Sequence, residues 1–133
     1  MLNYSEDFRK YFDPKALDDA LLRTYVTPAI VYEASQFVEA TALSYNVLPN
    51  MIKDPTPYIV ERLATLYAYK TSAQRKATFS KGHSADEDSF ALKYRMYKEL
   101  LDDLLSKINS WSFTEGDLAR KRKFPATLRI ARN

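Results

Sequence analysis

The sequence has no cysteine, one histidine and two glycines among its 133 residues. The absence of cysteine excludes disulfides and thiolate metal sites, and it agrees with a reducing compartment. The single histidine, His83, excludes any site built from several histidines. Two glycines, Gly82 and Gly116, argue against a glycine-rich phosphate loop and against many tight hairpins. These absences favour a helical protein that needs no cofactor.

The sequence also lacks any apolar run close to the ~20 residues that span a bilayer. Its first residues do not combine a basic segment with an apolar stretch, as a secretory signal does. We therefore expect a chain that is neither secreted nor membrane-spanning. Its length is typical of one domain that folds without crosslinks.

The segment with the clearest helical pattern starts at Thr56-Pro57 and is expected to end near Ala77. Threonine can cap the free amides of the first turn, and proline is favoured at the first helical position. Apolar residues then recur at three-and-four spacing: Ile59, Val60, Leu63, Leu66 and Tyr67. A face this wide needs other helices to cover it, so we predict that this helix is central.

Three further helices are predicted around it. Asp13-Pro14 starts a short helix that ends near Thr24, and Thr27-Pro28 starts a second that ends before Pro49. The prolines between residues 46 and 55 indicate a connector. Ser84 to Glu87 has the pattern of a capping box, which predicts a long helix from Ala85 to about Asn109, roughly 36 Å long. The expected fold is an all-α bundle of about four helices, with one long helix in the C-terminal half.

No group of residues has the pattern of a catalytic or metal site. Asp102 and Asp103 diverge by about 100° on a helix and have no histidine or third acid one turn away. The acids at 86–88 suit a helix start, and His83 lies in a loop without a catalytic partner. We therefore expect no enzyme, no catalytic residue, no metal and no cofactor.

Charge is distributed unevenly along the chain. Residues 1–70 carry seven Lys/Arg and nine Asp/Glu, whereas residues 71–133 carry thirteen and eight. Arg75 to His83 is predicted to be a mobile basic loop, with Arg75, Lys76 and Lys81 as its cations. After Asp117 the chain has six basic residues and no acid. We predict a helical domain over 1–118 and an extended basic tail over 119–133.

The tail is the predicted docking segment. Its proposed contact residues are Arg120, Lys121, Arg122, Lys123, Phe124, Leu128, Arg129, Ile130 and Arg132. Residues 128–131 alternate apolar with polar, a weak strand pattern without a partner strand in the chain. Its cations can face an acidic protein, contact nucleic-acid phosphates, or have no role. The sequence leaves these three alternatives open.

The order of these segments resembles the head-tail connector (adaptor) proteins of long-tailed bacteriophages. The matching segments are Ala34 to Ala40 leading to Tyr45, then Pro57 to Ala64 after a proline-marked linker, then Lys93 to Leu101. The resemblance covers about residues 13–109. The linker at 46–55 and the basic extension after Trp111 depart from the family pattern.

The resemblance implies a structural virion protein that joins a ring of about a dozen copies beneath the portal after DNA packaging. Its expected partners are the portal protein, a tail-side connector or stopper, and itself. Its expected location is the head-tail interface of the virion, and the host cytoplasm during assembly. We expect residues 124–132 to be extended or disordered in the free chain and to dock on a neighbour or the portal. The alternative is a nucleic-acid-binding helical module that uses the basic loop and the tail, and non-specific DNA contact is possible in either case.

Overall fold

The computed structural model describes residues 8–79 and 85–115 of the chain. Within these ranges the fold is all-α, with four α-helices: α1 (Pro28–Ser44), α2 (Tyr58–Phe79), α3 (Ala85–Lys107) and α4 (Ser110–Thr114). Short 3-10 turns occur at Pro14–Ala16, Arg23–Tyr25 and Pro49–Met51. No described residue lies in a strand.

Helix α2 is the centre of the bundle, as the sequence predicts. It packs against α3 along much of its length, against α1 on another side, and against α4. Leu63, Ala64, Leu66, Ala68 and Tyr69 of α2 are all buried. The two alanines let neighbouring helices approach closely, because they add little bulk between the helix axes.

Proline-marked caps place the starts of α1 and α2. The Thr27 hydroxyl accepts a hydrogen bond from the Ile30 amide, and Pro28 is the first residue of α1, as predicted. Helix α2 begins at Tyr58, where the Pro57 carbonyl accepts the amides of Val60 and Glu61. The Thr56 hydroxyl accepts a hydrogen bond from Arg9. The hydroxyl predicted to cap α2 therefore ties the N-terminal segment to the start of the central helix.

The connector between α1 and α2 packs only partly into the core. Val47 and Ile52 are buried, whereas Leu48 and Met51 are exposed. The Lys53 amide donates to the Phe113 carbonyl at 2.9 Å, and the Phe113 ring lies 6.2 Å from that of Tyr45. Helix α4 is thereby held against the connector.

The predicted first helix, from Pro14 to about Thr24, is wrong. The segment forms two 3-10 turns separated by extended and turn residues. The Asp13 side chain does accept the Lys15 amide, as a cap should. The Asp19 carboxylate, however, accepts the amides of Leu21 and Leu22, which stops a helix from continuing through this point.

The long helix α3 starts at Ala85 as predicted and ends at Lys107, two residues earlier than expected. Its 23 residues make it about 35 Å long. Residues 80–84, which include the Ser84 of the predicted capping box, lie outside the described ranges. The end of α3 is followed by Asn109, whose side chain caps α4 with Ser112 in a capping box.

Candidate partner-binding surfaces

The predicted site residues belong to the docking tail and to the basic loop. Those of the tail, from Arg120 to Arg132, lie outside the described residues, and so does Lys81. Arg75 and Lys76 do not lie in a loop, because α2 continues to Phe79. Proline is absent from this stretch and the first glycine is Gly82, so nothing in the sequence ends the helix at residue 75.

Both of these cations contact other parts of the same domain. The Arg75 guanidinium lies 2.6 Å from the Glu33 carboxylate on α1. The Lys76 ammonium lies 4.6 Å from the ring centroid of Tyr25 and 5.8 Å from that of Phe90, at cation–π distance. The two side chains therefore help to hold α1, the second 3-10 turn and α3 on α2.

A buried polar network centred on Asp19 was not foreseen from the sequence. The Asp19 side chain is 1% exposed and accepts Lys93 Nζ at 2.8 Å and the Tyr97 hydroxyl at 2.5 Å. The same carboxylate accepts the amides of Leu21 and Leu22 at 3.0 and 2.8 Å. One carboxylate thus binds the N-terminal segment to α3.

Asp18 completes the network on the side of α2. The Tyr69 hydroxyl accepts the amides of Asp18 and Asp19, both at 2.9 Å, and donates to the Asp18 carboxylate at 3.0 Å. The rings of Tyr69 and Tyr97 lie 4.8 Å apart. Two tyrosines, one from each long helix, therefore anchor two consecutive aspartates.

The titration of these groups follows from their surroundings. Burial by itself would raise the pKa of Asp19, but the hydrogen bonds from Lys93, Tyr97 and the Leu22 amide together lower this pKa below its ordinary value. Burial raises the pKa of Tyr97, and the hydrogen bond to the Asp19 carboxylate raises it further. Asp19 is therefore held as a carboxylate and Tyr97 as a neutral phenol at neutral pH.

The N-terminal segment has two more anchors outside this network. The Arg9 guanidinium donates to the carbonyls of Ile52 and Lys53 and to the Thr56 hydroxyl. The buried Tyr11 donates to the Glu39 carboxylate of α1 at 2.7 Å. These contacts fix residues 8–26 across the bundle, so the exposed side of this segment presents a defined surface.

Pattern reading missed this network because its residues are far apart in sequence. Asp19 and Tyr97 are 78 positions apart, and no periodicity connects them. The available signal was a pair of aspartates inside an apolar stretch, since a buried carboxylate needs donors. Within the described part of the chain, no three His, Cys, Asp or Glu side chains come together as metal ligands.

Large apolar side chains are exposed on two separate elements. On α3, Leu92, Met96 and Leu100 follow one another at four-residue spacing, and Leu92 is 60% exposed. At the end of α1 and in the connector, Leu43, Leu48 and Met51 are exposed by about half. We call these the α3 stripe and the connector patch. Exposed apolar groups that lie close together are typical of protein interfaces.

A third feature is a groove between the first 3-10 turn and the N-terminal half of α2. Its volume is about 220 Å³, which is below the range of most small-molecule sites. Phe12, Leu17 and Tyr69 contribute apolar surface, and Asp13, Asp18, Glu61 and Arg62 are its charged residues. Tyr58, at the same groove, is 73% exposed. We call it the N-terminal groove.

Comparison of the chain with known protein families, with characterised proteins and with solved structures gives no match. None of the described helices combines the length and the apolar character needed to cross a membrane.

Proposed function

We propose that this chain is a head-tail connector, a structural virion protein that joins a ring beneath the portal and links head to tail. The observation that carries the proposal is the exposure of apolar side chains on two different elements, the α3 stripe and the connector patch. The family resemblance of residues 13–109 supplies the identity of the assembly.

Ring assembly needs two unlike surfaces on each subunit. In a closed ring, one patch on a subunit meets a different patch on its neighbour, and every copy repeats the same contact. The α3 stripe lies on α3, and the connector patch lies at the end of α1 and in the connector that follows it, so the two satisfy this requirement for separate surfaces. The expected partners are further copies of the chain, the portal and a tail-side stopper.

The test is attachment to portal-bearing capsids. A variant that lacks residues 119–133 keeps every described helix in its sequence, so we expect its circular dichroism and its melting temperature to match those of the full chain. We expect this variant to lose attachment, because the tail holds the basic and apolar residues proposed to dock. A variant with Asp102→Asn, which changes an exposed charge on α3, is the matched control and should attach normally.

Normal attachment of the shortened variant would contradict the docking role of the tail. Attachment failure of both the shortened variant and the control would point to general damage to the surface. Light scattering of the protein alone, and then with portal, measures whether copies join only when the portal is present.

The nucleic-acid alternative makes a different prediction. Of its proposed cations, Arg75 pairs with Glu33 and Lys76 lies over two aromatic rings, so a phosphate would have to compete with these contacts. A salt titration with duplex DNA separates the two functions. Micromolar or tighter binding that falls steeply with salt would favour the alternative, because counterion release dominates phosphate contacts.

A further inference from the structure

We propose that the N-terminal groove binds the basic tail of the same chain, residues 120–132, when the chain is free. The proposal concerns an intramolecular contact, and it stands whatever the tail binds in an assembly. It joins an apolar groove bordered by carboxylates to a tail that is both basic and apolar and has no acid after Asp117.

The groove has the chemistry to accept such a segment. Asp13, Asp18 and Glu61 face one cation, Arg62, among the lining residues. Within the described ranges, none of these three carboxylates makes an ion pair. The groove is therefore net acidic, and a basic peptide would relieve the repulsion among its carboxylates.

Apolar contacts give the groove a second means of recognition. Phe12 and Leu17 are buried beneath it, and Tyr58 offers an exposed ring to which a guanidinium or ammonium can bind by its face. In the tail, Lys123 precedes Phe124, and Ile130 lies between Arg129 and Ala131. The pairs Lys123-Phe124 and Arg129-Ile130 can each place an apolar side chain in the groove and a cation at its rim.

The contacts near the end of the described chain favour binding of the tail to the groove of its own molecule over binding to a second copy. The Phe113 carbonyl is bonded to the Lys53 amide, and Arg9 bonds to the Lys53 carbonyl and to Thr56. Two residues that line the groove are close in sequence to these contacts: Tyr58 follows Thr56 by two residues, and Phe12 follows Arg9 by three. The end of α4 is therefore connected to the groove through a few bonded residues.

The remaining chain is long enough to make the contact. Residues 116–133 reach up to about 60 Å when extended. A chain of this size has a radius of gyration of about 14 Å, so this reach exceeds the width of the body. Two segments joined within one chain by a short link meet at an effective concentration of about millimolar, so even a weak contact is occupied within one molecule before a second copy competes.

The experiment uses the full chain and exploits its lack of cysteine. Ala16 is exposed at the groove, so an Ala16→Cys variant carries a nitroxide spin label at this position only. In the ¹⁵N-labelled protein, we expect the label to reduce the amide signals of residues 120–132. The loss should disappear when the ionic strength rises from about 0.05 to about 0.5 M, because the Debye length falls below 5 Å.

Two charge reversals test the pairing from each side. Glu61→Lys in the groove, and Lys121→Glu with Arg122→Glu in the tail, should each restore the tail signals. Asp102→Lys is the matched control, since it reverses one exposed carboxylate on α3, and it should leave the loss unchanged. The amide spectrum of residues 8–79 reports whether Glu61→Lys has kept the fold, and the tail variant does not depend on that substitution.

The outcomes are decisive in both directions. Undiminished tail signals in the labelled chain would overturn the proposal. A signal loss that stays the same in every charge-reversal variant would overturn it too. A mixture of spin-labelled ¹⁴N chain with unlabelled ¹⁵N chain should show no loss. If the mixture also shows the loss, the tail binds a second copy and the intramolecular contact is refuted. Capsid attachment is measured separately, so failure here does not count against the connector function.

Discussion

Asp19 accepts hydrogen bonds from four donors, two backbone amides and the side chains of Lys93 and Tyr97. A buried carboxylate loses its water shell, and only donors of this number and geometry can replace it. The position of residues 17–22 on the bundle therefore depends on this side chain as well as on the Asp18–Tyr69 contacts. Removing one of the side-chain donors tests how much these hydrogen bonds stabilise the fold.

Tyr97→Phe should lower the free energy of unfolding by about 1–2 kcal/mol, because it deletes a hydrogen bond to a buried charge and keeps the ring. Tyr58→Phe removes a hydroxyl from a side chain that is 73% exposed and is the matched control. Urea denaturation followed by circular dichroism measures both. Equal stabilities for Tyr97→Phe and the parent chain would contradict the network as a source of stability.

The stabilisation by Asp19 should depend on pH in a defined direction. Its pKa in the folded chain lies below its ordinary value of 3.8, so the folded state prefers the ionised form more than the unfolded state does. This contribution is fully present above pH 3.8 and is lost as the pH falls through the lower folded-state pKa.

We expect Asp19→Asn to destabilise the chain at pH 6 by about 2 kcal/mol or more, because Lys93 and Tyr97 lose a charged acceptor. The difference between the parent chain and the variant should shrink as the pH falls below 3.8. Urea denaturation at several pH values between 2.5 and 6 measures it. A difference that stays constant over this range would show that ionisation of Asp19 does not contribute.

At the scale of single elements, α1 ends in a Schellman motif. The Val47 amide donates to the Ala42 carbonyl and the Asn46 amide to the Leu43 carbonyl, while Asn46 has a φ of 65°. Asparagine tolerates this left-handed conformation better than other residues with a Cβ. The motif also places the buried Val47 against the core.

Two substitutions at Asn46 should change stability in opposite senses. Asn46→Ala should destabilise by about 1 kcal/mol, because alanine pays a steric cost at positive φ. Asn46→Gly should be neutral or slightly stabilising, since glycine has no such cost. Thermal unfolding of the two variants compares them directly. A more stable alanine variant would contradict the motif as the determinant of this helix end.

The elements that could be predicted are those whose signals are local. Thr27-Pro28 and Thr56-Pro57 carry their capping chemistry within a few residues, and the starts of α1 and α2 lie at or next to them. The prediction of a helix from Pro14 to Thr24 is wrong because contacts between residues distant in the sequence decide the structure of this segment. Leucines at helical spacing were present, but Asp19 caps two amides inside the segment, and donors on α3 stabilise that arrangement.

The candidate surfaces divide in the same way. The docking tail was inferred from a run of cations without acids, and it stays a prediction because residues 120–132 lie outside the described ranges. The N-terminal groove could not, because Asp13, Asp18 and Glu61 come together only after the N-terminal segment packs on α2. Arg75 and Lys76 lie in α2 and not in the predicted loop, because the sequence has no proline or glycine between Pro57 and Gly82 to end the helix earlier.

At the scale of the whole molecule, a ring connector must expose apolar surface that a solitary protein would avoid. Replacing Leu92 and Met96 by serine should change the free energy of unfolding by less than about 0.5 kcal/mol, because both side chains are exposed. In the proposed ring, every subunit interface repeats these two apolar contacts. The same double substitution should therefore abolish portal-dependent assembly, measured by light scattering. Asp102→Ser and Asp103→Ser, at exposed positions on the same helix, form the matched control and should assemble normally. Rings of normal size from the Leu92→Ser, Met96→Ser chain would exclude the α3 stripe from the interface. The connector patch would then have to provide both contacts, but a head-to-tail ring needs two different patches on each subunit.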